Sequence, residues 1–366
     1  MDDAIRTRNY GIDVFRIVSM LFIICVHLVS YGFGPSSGGV ELSNTLQGNI
    51  MNTFVICGVN SFGLISGFVG IRNTPKYSNI VLLWLQALIY SALFFCIYAF
   101  LGLHTLNAAE VIKSLTPVLH NKWWYLSKYV ILFLMMPILN KGLRQISKRE
   151  LEIVLLGVYV LYFSSEFIFR TNTFESNGGY SVAWLVFLYM LGAYLSLYWE
   201  KRRKGAKQIV IYLTLCTLTM LMKYLIVFLG GIINKNISGG IVFSYVSPLI
   251  VFESVALLSF FSTLSIRCER LIQIIRIMSS TSFGVFLIHT HKAFLQMFTK
   301  PLIFLNDFKE WYTLPLILLT SIVVYVVCSA IELCRIKLFS ILKLKEKLLI
   351  IEDVLYVQAC NERKHD

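Results

Sequence analysis

Apolar runs of about twenty residues recur ten times along this chain, and a run of that length is what a helix needs to cross a ~30 Å hydrocarbon core. The expected spans are approximately 11–31, 50–70, 79–101, 123–139, 151–169, 181–199, 208–229, 241–264, 279–298 and 313–334. Inside a bilayer the backbone cannot hydrogen-bond to water, so each run must satisfy its own N–H and C=O groups as a helix. Hydrophobic residues make up 57% of the chain and charged residues 14%, against roughly 45–50% and about 25% in a soluble domain. A water-soluble fold is excluded, and the expected fold class is all-α, a polytopic membrane protein with about ten transmembrane helices.

The net charge of +13 would suggest a nucleic-acid partner in a soluble protein. Here the basic residues lie in short clusters between apolar runs, which makes them topology determinants, and no nucleic acid is expected. With the N-terminus inside, 23 of the 33 Lys and Arg residues fall in inner segments, six in outer segments and four within spans. This alternation predicts that both termini are cytoplasmic, in a multi-pass protein of the cell membrane. Trp123, Trp124 and Tyr125 open the fourth span, Tyr198 and Trp199 close the sixth, and Trp311 and Tyr312 precede the tenth, as interfacial aromatic residues do. The chain divides into a ten-helix membrane domain, 1–335, and a basic amphipathic cytoplasmic tail, 336–366. The apolar stretch after MDDAIRTRNY has no small-residue cleavage site, so the first helix is expected to be retained. Eight cysteines show no C-x-x-C pair and no metal-like spacing, so neither a disulfide framework nor a bound metal is expected.

Ionisable groups at depth carry the functional information, because a charge near the bilayer centre costs at least ~2.5–3.5 kcal/mol. The first span, GIDVFRIVSMLFIICVHLVS, holds Asp13, Arg16 and His27. Asp13 and Arg16 are spaced i,i+3, which permits an ion pair. The step from Arg16 to His27 is eleven residues, a turn that returns to within about 20° of its starting direction, so all three share one face. Along the axis Arg16 and His27 stand roughly 16 Å apart. They therefore mark two ends of one stripe, with Arg16 near the cytoplasmic surface and His27 toward the outer leaflet. The plain structural alternatives are a topology anchor for the Asp–Arg pair and an interhelical hydrogen bond for His27.

Gly11-Ile-Asp13-x-x-Arg16, with ten residues between Arg16 and His27, resembles the opening helix of the acyltransferase-3 family, whose members move acyl groups onto glycans. SFGLISGF (Ser61 to Phe68), WWYL (Trp123 to Leu126), LGAYLS (Leu191 to Ser196) and SFGVFLIH (Ser282 to His289) follow in the family's order. The resemblance implies ten helices with both termini inside, His27 as the catalytic base and Arg16 as a donor-side group. Family members often carry Arg-x-x-Arg on the inner loop after the second helix, whereas this loop reads GIRNTPKYSN, with only Arg72 and Lys76.

The expected reaction is transfer of an acyl group, acetyl first, from a cytoplasmic coenzyme A thioester to a hydroxyl of a surface glycan or lipid-linked sugar. Acyl-CoA is then a co-substrate, with no tightly bound cofactor. His27 takes the hydroxyl proton, an imidazole being suited to that at neutral pH. Arg16 and Arg72 hold the phosphate-bearing donor, and Asp13 orients Arg16. His289 and Glu253 either line the acceptor path or are structural, and Glu253 is either protonated or paired, with Lys128, Lys223 or Arg16 as candidate partners. Glu166 either meets a sugar or is solvated. Trp124 and Tyr125, with Trp123, are placed to stack on sugar rings at the outer mouth. The competing readings are a flippase or transporter of a lipid-linked glycan, against which no repeated half is visible, and a polymerase, against which the longest outer loop is only 102–122.

Overall fold

The computed structural model describes residues 8–31, 45–102, 107–199, 205–235, 237, 239–291, 294 and 312–362. Of these, 82% are helical and none forms a strand. The helices are α1 (Tyr10–Tyr31), α2 (Leu46–Val55), α3 (Gly58–Gly70), α4 (Tyr77–Phe100), α5 (Ala108–Leu115), α6 (Trp124–Gln145), α7 (Lys148–Phe163), α8 (Val182–Tyr198), α9 (Gly205–Ile232), α10 (Pro248–Ser262), α11 (Glu269–His289), α12 (Thr313–Ile341) and α13 (Leu344–Glu362). Joined where they abut, nine of these segments are long and apolar enough to span a bilayer among the described residues. The remaining expected span is α8, an apolar helix of 17 residues, roughly 26 Å long at 1.5 Å per residue. The protein is a multi-pass membrane protein, and each of the ten expected spans corresponds to a helix or an abutting pair.

Two spans depart from expectation. The second is broken at Ile56 and Cys57 into α2 and α3. The ninth is helical from Glu269 rather than from 279, because ERLIQIIRIM continues the helix with Glu269 in its first turn. His289 therefore stands at the last residue of α11 instead of about ten residues in from its start. Residues 295–298 of that expected span, Trp311 and the cluster Lys201–Lys204 lie outside the described residues. Helix α12 passes the expected boundary at 335 and ends at Ile341, and α13 then docks on the start of α4.

Helices α1, α2–α3, α10 and α11 form the interior, with half to two thirds of their apolar windows buried, whereas α4, α6, α7, α9 and α12 bury a third or less and turn Leu, Ile, Val and Phe outward. An outward apolar belt is what lipid requires. Close approach inside the bundle depends on glycine: a Cβ on Gly67 would collide with the Tyr189 carbonyl, and one on Gly192 with the Leu64 carbonyl. The motifs SFGLISGF and LGAYLS are thus the two faces of a single α3–α8 contact, the small-residue packing used between membrane helices. Behind α1, buried Glu332 of α12 accepts from Gln86, Tyr90 and Arg335. A carboxylate is tolerated at this depth because its partners satisfy both oxygens.

Candidate active site

Asp13 ends the first turn of α1 and Arg16 lies on the second, and they form the expected i,i+3 ion pair. Arg16 Nη1 donates to Asp13 Oδ1 at 2.8 Å. The carboxylate is 2% exposed and also accepts from Arg8 Nε at 2.5 Å and from Ser279 Oγ of α11 at 3.1 Å. Three donors, two of them cationic, offset the cost of burying the charge. The Arg16 side chain, 30% exposed, opens into a cavity of about 380 Å³ whose polar lining includes Ser66, Asn73, Tyr129, Ser279 and Ser282.

Near the other end of α1, His27 Nδ1 lies 3.0 Å from His289 Nε2, and the second ring nitrogen of His289 lies 2.7 Å from the Val285 carbonyl one turn back on α11. His27 lines a second cavity, of about 430 Å³, together with Trp123, Trp124, Tyr125, Tyr180 and Tyr245. Trp123 Nε1 donates to the Leu287 carbonyl at 3.1 Å, which pins the start of α6 to the end of α11. Trp124 packs on Tyr180 with ring centroids 4.6 Å apart. Lys122 enters the same cavity from the loop before α6, donates to Ser91 Oγ at 2.9 Å and lies 5.6 Å over the Trp123 ring. Burial draws its pKa below the usual lysine value, only partly opposed by Glu110.

The two cavities share part of their walls: Phe62, Tyr125 and Phe283 line both the Arg16 chamber and the His27 chamber. The stripe read from the first span therefore has one chamber at each of its polar ends. Ser66, Tyr125 and Tyr129 all line the Arg16 chamber, so its wall has a polar side as well as an aromatic one.

Other expected site residues lie elsewhere. Arg72 turns to the end of α8, where Nε donates to Ser196 Oγ at 2.7 Å and an Nη donates to the Ser196 carbonyl, and it is not among the residues lining the Arg16 chamber. It supports the carbonyls left open at a helix C-terminus. Glu253 is fully buried against α9 and accepts from Thr219 Oγ1 at 2.8 Å rather than from a cation, away from both chambers. Lys223, one of its expected partners, donates to Asn49 instead. His289 is fully buried and meets the His27 chamber through His27 rather than as part of its wall. Glu166, half-buried, lines neither chamber and accepts from Ser176, the Gly178 N–H and Ser244.

Residues not singled out from the sequence include Ser279, Lys122, Tyr180 and Tyr245. Only Lys122 left a usable trace, as an isolated cation directly before the Trp pair. Among the described residues no group of three His, Cys, Asp or Glu side chains is placed to hold a metal ion. A family model described as an acyltransferase domain matches residues 9–333. No curated protein and no solved structure matches the chain.

Proposed function

Because the chain belongs to the acyltransferase-3 family and is a multi-pass membrane acyltransferase, we propose that it carries an acyl group, acetyl first, from a coenzyme A thioester at the Arg16 end to a sugar hydroxyl at the His27 end. The observation that supports this reading is the pair of chambers on one stripe of α1, which share the wall of Phe62, Tyr125 and Phe283. Coenzyme A has phosphates at one end and the reactive thioester at the other, joined by a slender arm. A cation-lined chamber beside an aromatic chamber matches that distribution of charge, and in this reading the arm crosses between them at the shared wall, an aromatic waist.

In this reading Arg16 binds donor phosphate and is aimed by Asp13. The thioester carbonyl lies beside His27, and the acceptor sugar stacks among Trp124, Tyr125 and their aromatic neighbours. His27 removes the hydroxyl proton as the oxygen attacks the carbonyl carbon. The C–S bond then breaks, the ester forms, and the imidazolium returns its proton to the departing thiolate. The aromatic waist limits water around the thioester. The acceptor is a surface glycan or its lipid-linked precursor, and the Arg16 end faces the cytoplasm, as the gathering of Arg8, Arg16 and Arg276 at the start of α1 supports. A glycan carrier is the reading this displaces, because the family's chemistry is acyl transfer.

Membranes containing the protein, supplied with acetyl-CoA labelled in the acetyl group, are expected to place label on glycan. His27→Ala is expected to abolish that transfer while the protein remains in the membrane. Label passing to glycan at an undiminished rate in that variant would remove His27 from the mechanism.

A further inference from the structure

Helix α13 lies beyond the residues matched by the family model, yet it makes a specific contact with the membrane domain. Glu352 Oε1 accepts the backbone N–H of Tyr77 at 2.8 Å, and Oε2 accepts that of Ser78 at 3.1 Å. These are two of the orphan donors of the first turn of α4, whose own cap residue, Lys76, offers no side-chain acceptor. The Lys76 ammonium also acts on this carboxylate, while the Ser78 hydroxyl is buried at the cavity wall with no hydrogen-bond partner among the described residues. Partial burial pushes the carboxylate pKa up, but the polar groups of Ser78 and Tyr77 and the charge on Lys76 outweigh that and hold it below the usual carboxylate range.

The contact closes one side of a cavity of about 830 Å³. Lys76, Ser78, Lys141 and Arg144 line it from the membrane domain, and Leu348, Ile351 and Glu352 from α13. Asn73, Thr74 and Pro75 line both this cavity and the Arg16 chamber. Three spaces thus lie side by side in order, the His27 chamber, the Arg16 chamber and a basic vestibule, each sharing wall residues with the next, and α13 lines the last.

We propose that α13 is a self-docked latch over the vestibule, in which Glu352 stands in for a phosphate and is exchanged for one when the donor enters. A helix start with a serine hydroxyl and three nearby cations is suited to a phosphate group. In the latched state a carboxylate from the chain's own end takes those N–H groups. Donor binding must then displace Glu352, so the latch lowers apparent donor affinity by the fraction of molecules in which it is open. The identity of the phosphate carrier rests on the donor reading above; the latch itself requires only that phosphate and Glu352 compete.

Hydrogen exchange on the full-length protein in detergent tests this, with coenzyme A and inorganic pyrophosphate as separate probes. Either probe is expected to slow exchange around 73–78 and to speed it along 344–362, and Glu352→Gln is expected to show fast exchange along 344–362 without a probe. That variant is also expected to bind coenzyme A about two- to fivefold more tightly, the scale of a single charge at a helix end. Slowed exchange around 73–78 with no change along 344–362, and equal affinity in Glu352→Gln, would overturn the latch while leaving the donor reading intact. Release of α13 by pyrophosphate but not by coenzyme A would keep the latch and remove the donor reading. No response to either probe overturns the latch.

Discussion

His27 and His289 are joined ring to ring, Nδ1 to Nε2 at 3.0 Å, and the outer nitrogen of His289 lies 2.7 Å from the Val285 carbonyl. A carbonyl can only accept, so His289 carries its proton on Nδ1, and with both rings neutral its Nε2 must accept from His27. The proton of His27 is then held on Nδ1, which leaves Nε2 as the basic nitrogen. In the proposed mechanism His289 is then a positioning residue. His27→Ala is expected to reduce transfer by about 10²–10⁴-fold, the usual contribution of a general base. His289→Ala is expected to cost at least about tenfold, in kcat rather than in donor KM, because it frees the tautomer and leaves both binding chambers in place. Steady-state kinetics on the two variants decide this, and unchanged kcat in His289→Ala would show that the pair is only packing.

Asp13 collects three donors, from Arg8, Arg16 and Ser279, and ties α1 to α11. Asp13→Ala leaves all three without their acceptor. The cost is reduced by water reaching Arg8 and Arg16, whose side chains are 47% and 30% exposed, so a loss of about 1–3 kcal/mol is expected. The variant should unfold at lower temperature in detergent and show a raised donor KM, since Arg16 is no longer aimed. Arg16→Lys should leave the melting temperature nearly unchanged while raising donor KM, because the charge stays but the forked geometry is lost.

The stripe on α1 was legible in the sequence because helical periodicity alone sets which residues of a single helix share a face. Asp13, Arg16 and His27 needed no knowledge of any other helix. Partners on other helices were not legible. Nothing local distinguishes Ser279, which reaches Asp13, from Ser280, which donates to the Ile277 carbonyl behind it. Glu253 read as a site residue because a lone carboxylate in an apolar run is costly wherever it lies, yet Thr219 on α9 meets it away from the chambers. Arg72 read as a phosphate ligand from its place on the loop, whereas the end of α8 offered it acceptors that only the fold brings near. The latch joins residues 274 positions apart, and no spacing rule reaches so far.

Helices α3 and α8 approach so closely that Gly67 lies against the Tyr189 carbonyl. Gly67→Ala puts a methyl where a backbone oxygen already sits, and backbone on both sides leaves little room to yield. A loss of about 1–3 kcal/mol is expected from overpacking, read as a lower melting temperature in detergent. Gly142→Ala has open space around the new methyl and serves as the matched control. Equal melting temperatures for the two variants would mean that the α3–α8 contact relaxes without cost.

The carboxylate of Glu352 titrates below its ordinary value when α13 is docked, with the polar groups of Ser78 and Tyr77 and the charge on Lys76 overcoming the effect of burial. A lowered pKa in the docked state means that ionisation favours docking. That contribution is complete above the undocked pKa and is lost as pH falls through the docked one. Docking should therefore be constant around neutrality and weaken only in acid. Hydrogen exchange along 344–362, corrected for its intrinsic dependence on pH, is expected to accelerate in acid in the wild type and to follow no such step in Glu352→Gln. An acceleration on raising the pH above neutral would have the wrong sign for this contact.

Three residues form the wall that the chambers share, and Phe62 is the one contributed by α3. Its ring is partly buried and packs against the core, so Phe62→Ala removes a wall of the passage and leaves both chambers with their polar groups. If the thioester arm lies in that passage, enlarging it admits water beside the reacting carbon, and hydrolysis begins to compete with transfer. Acyl-CoA breakdown without acceptor is expected to rise several-fold in Phe62→Ala, while donor KM changes little because Arg16 and the polar lining of its chamber remain. Thiol release measured with and without glycan separates the two routes. Hydrolysis that stays at the wild-type level while transfer falls would show that the arm does not pass between Phe62, Tyr125 and Phe283, and the two chambers would then need another connection.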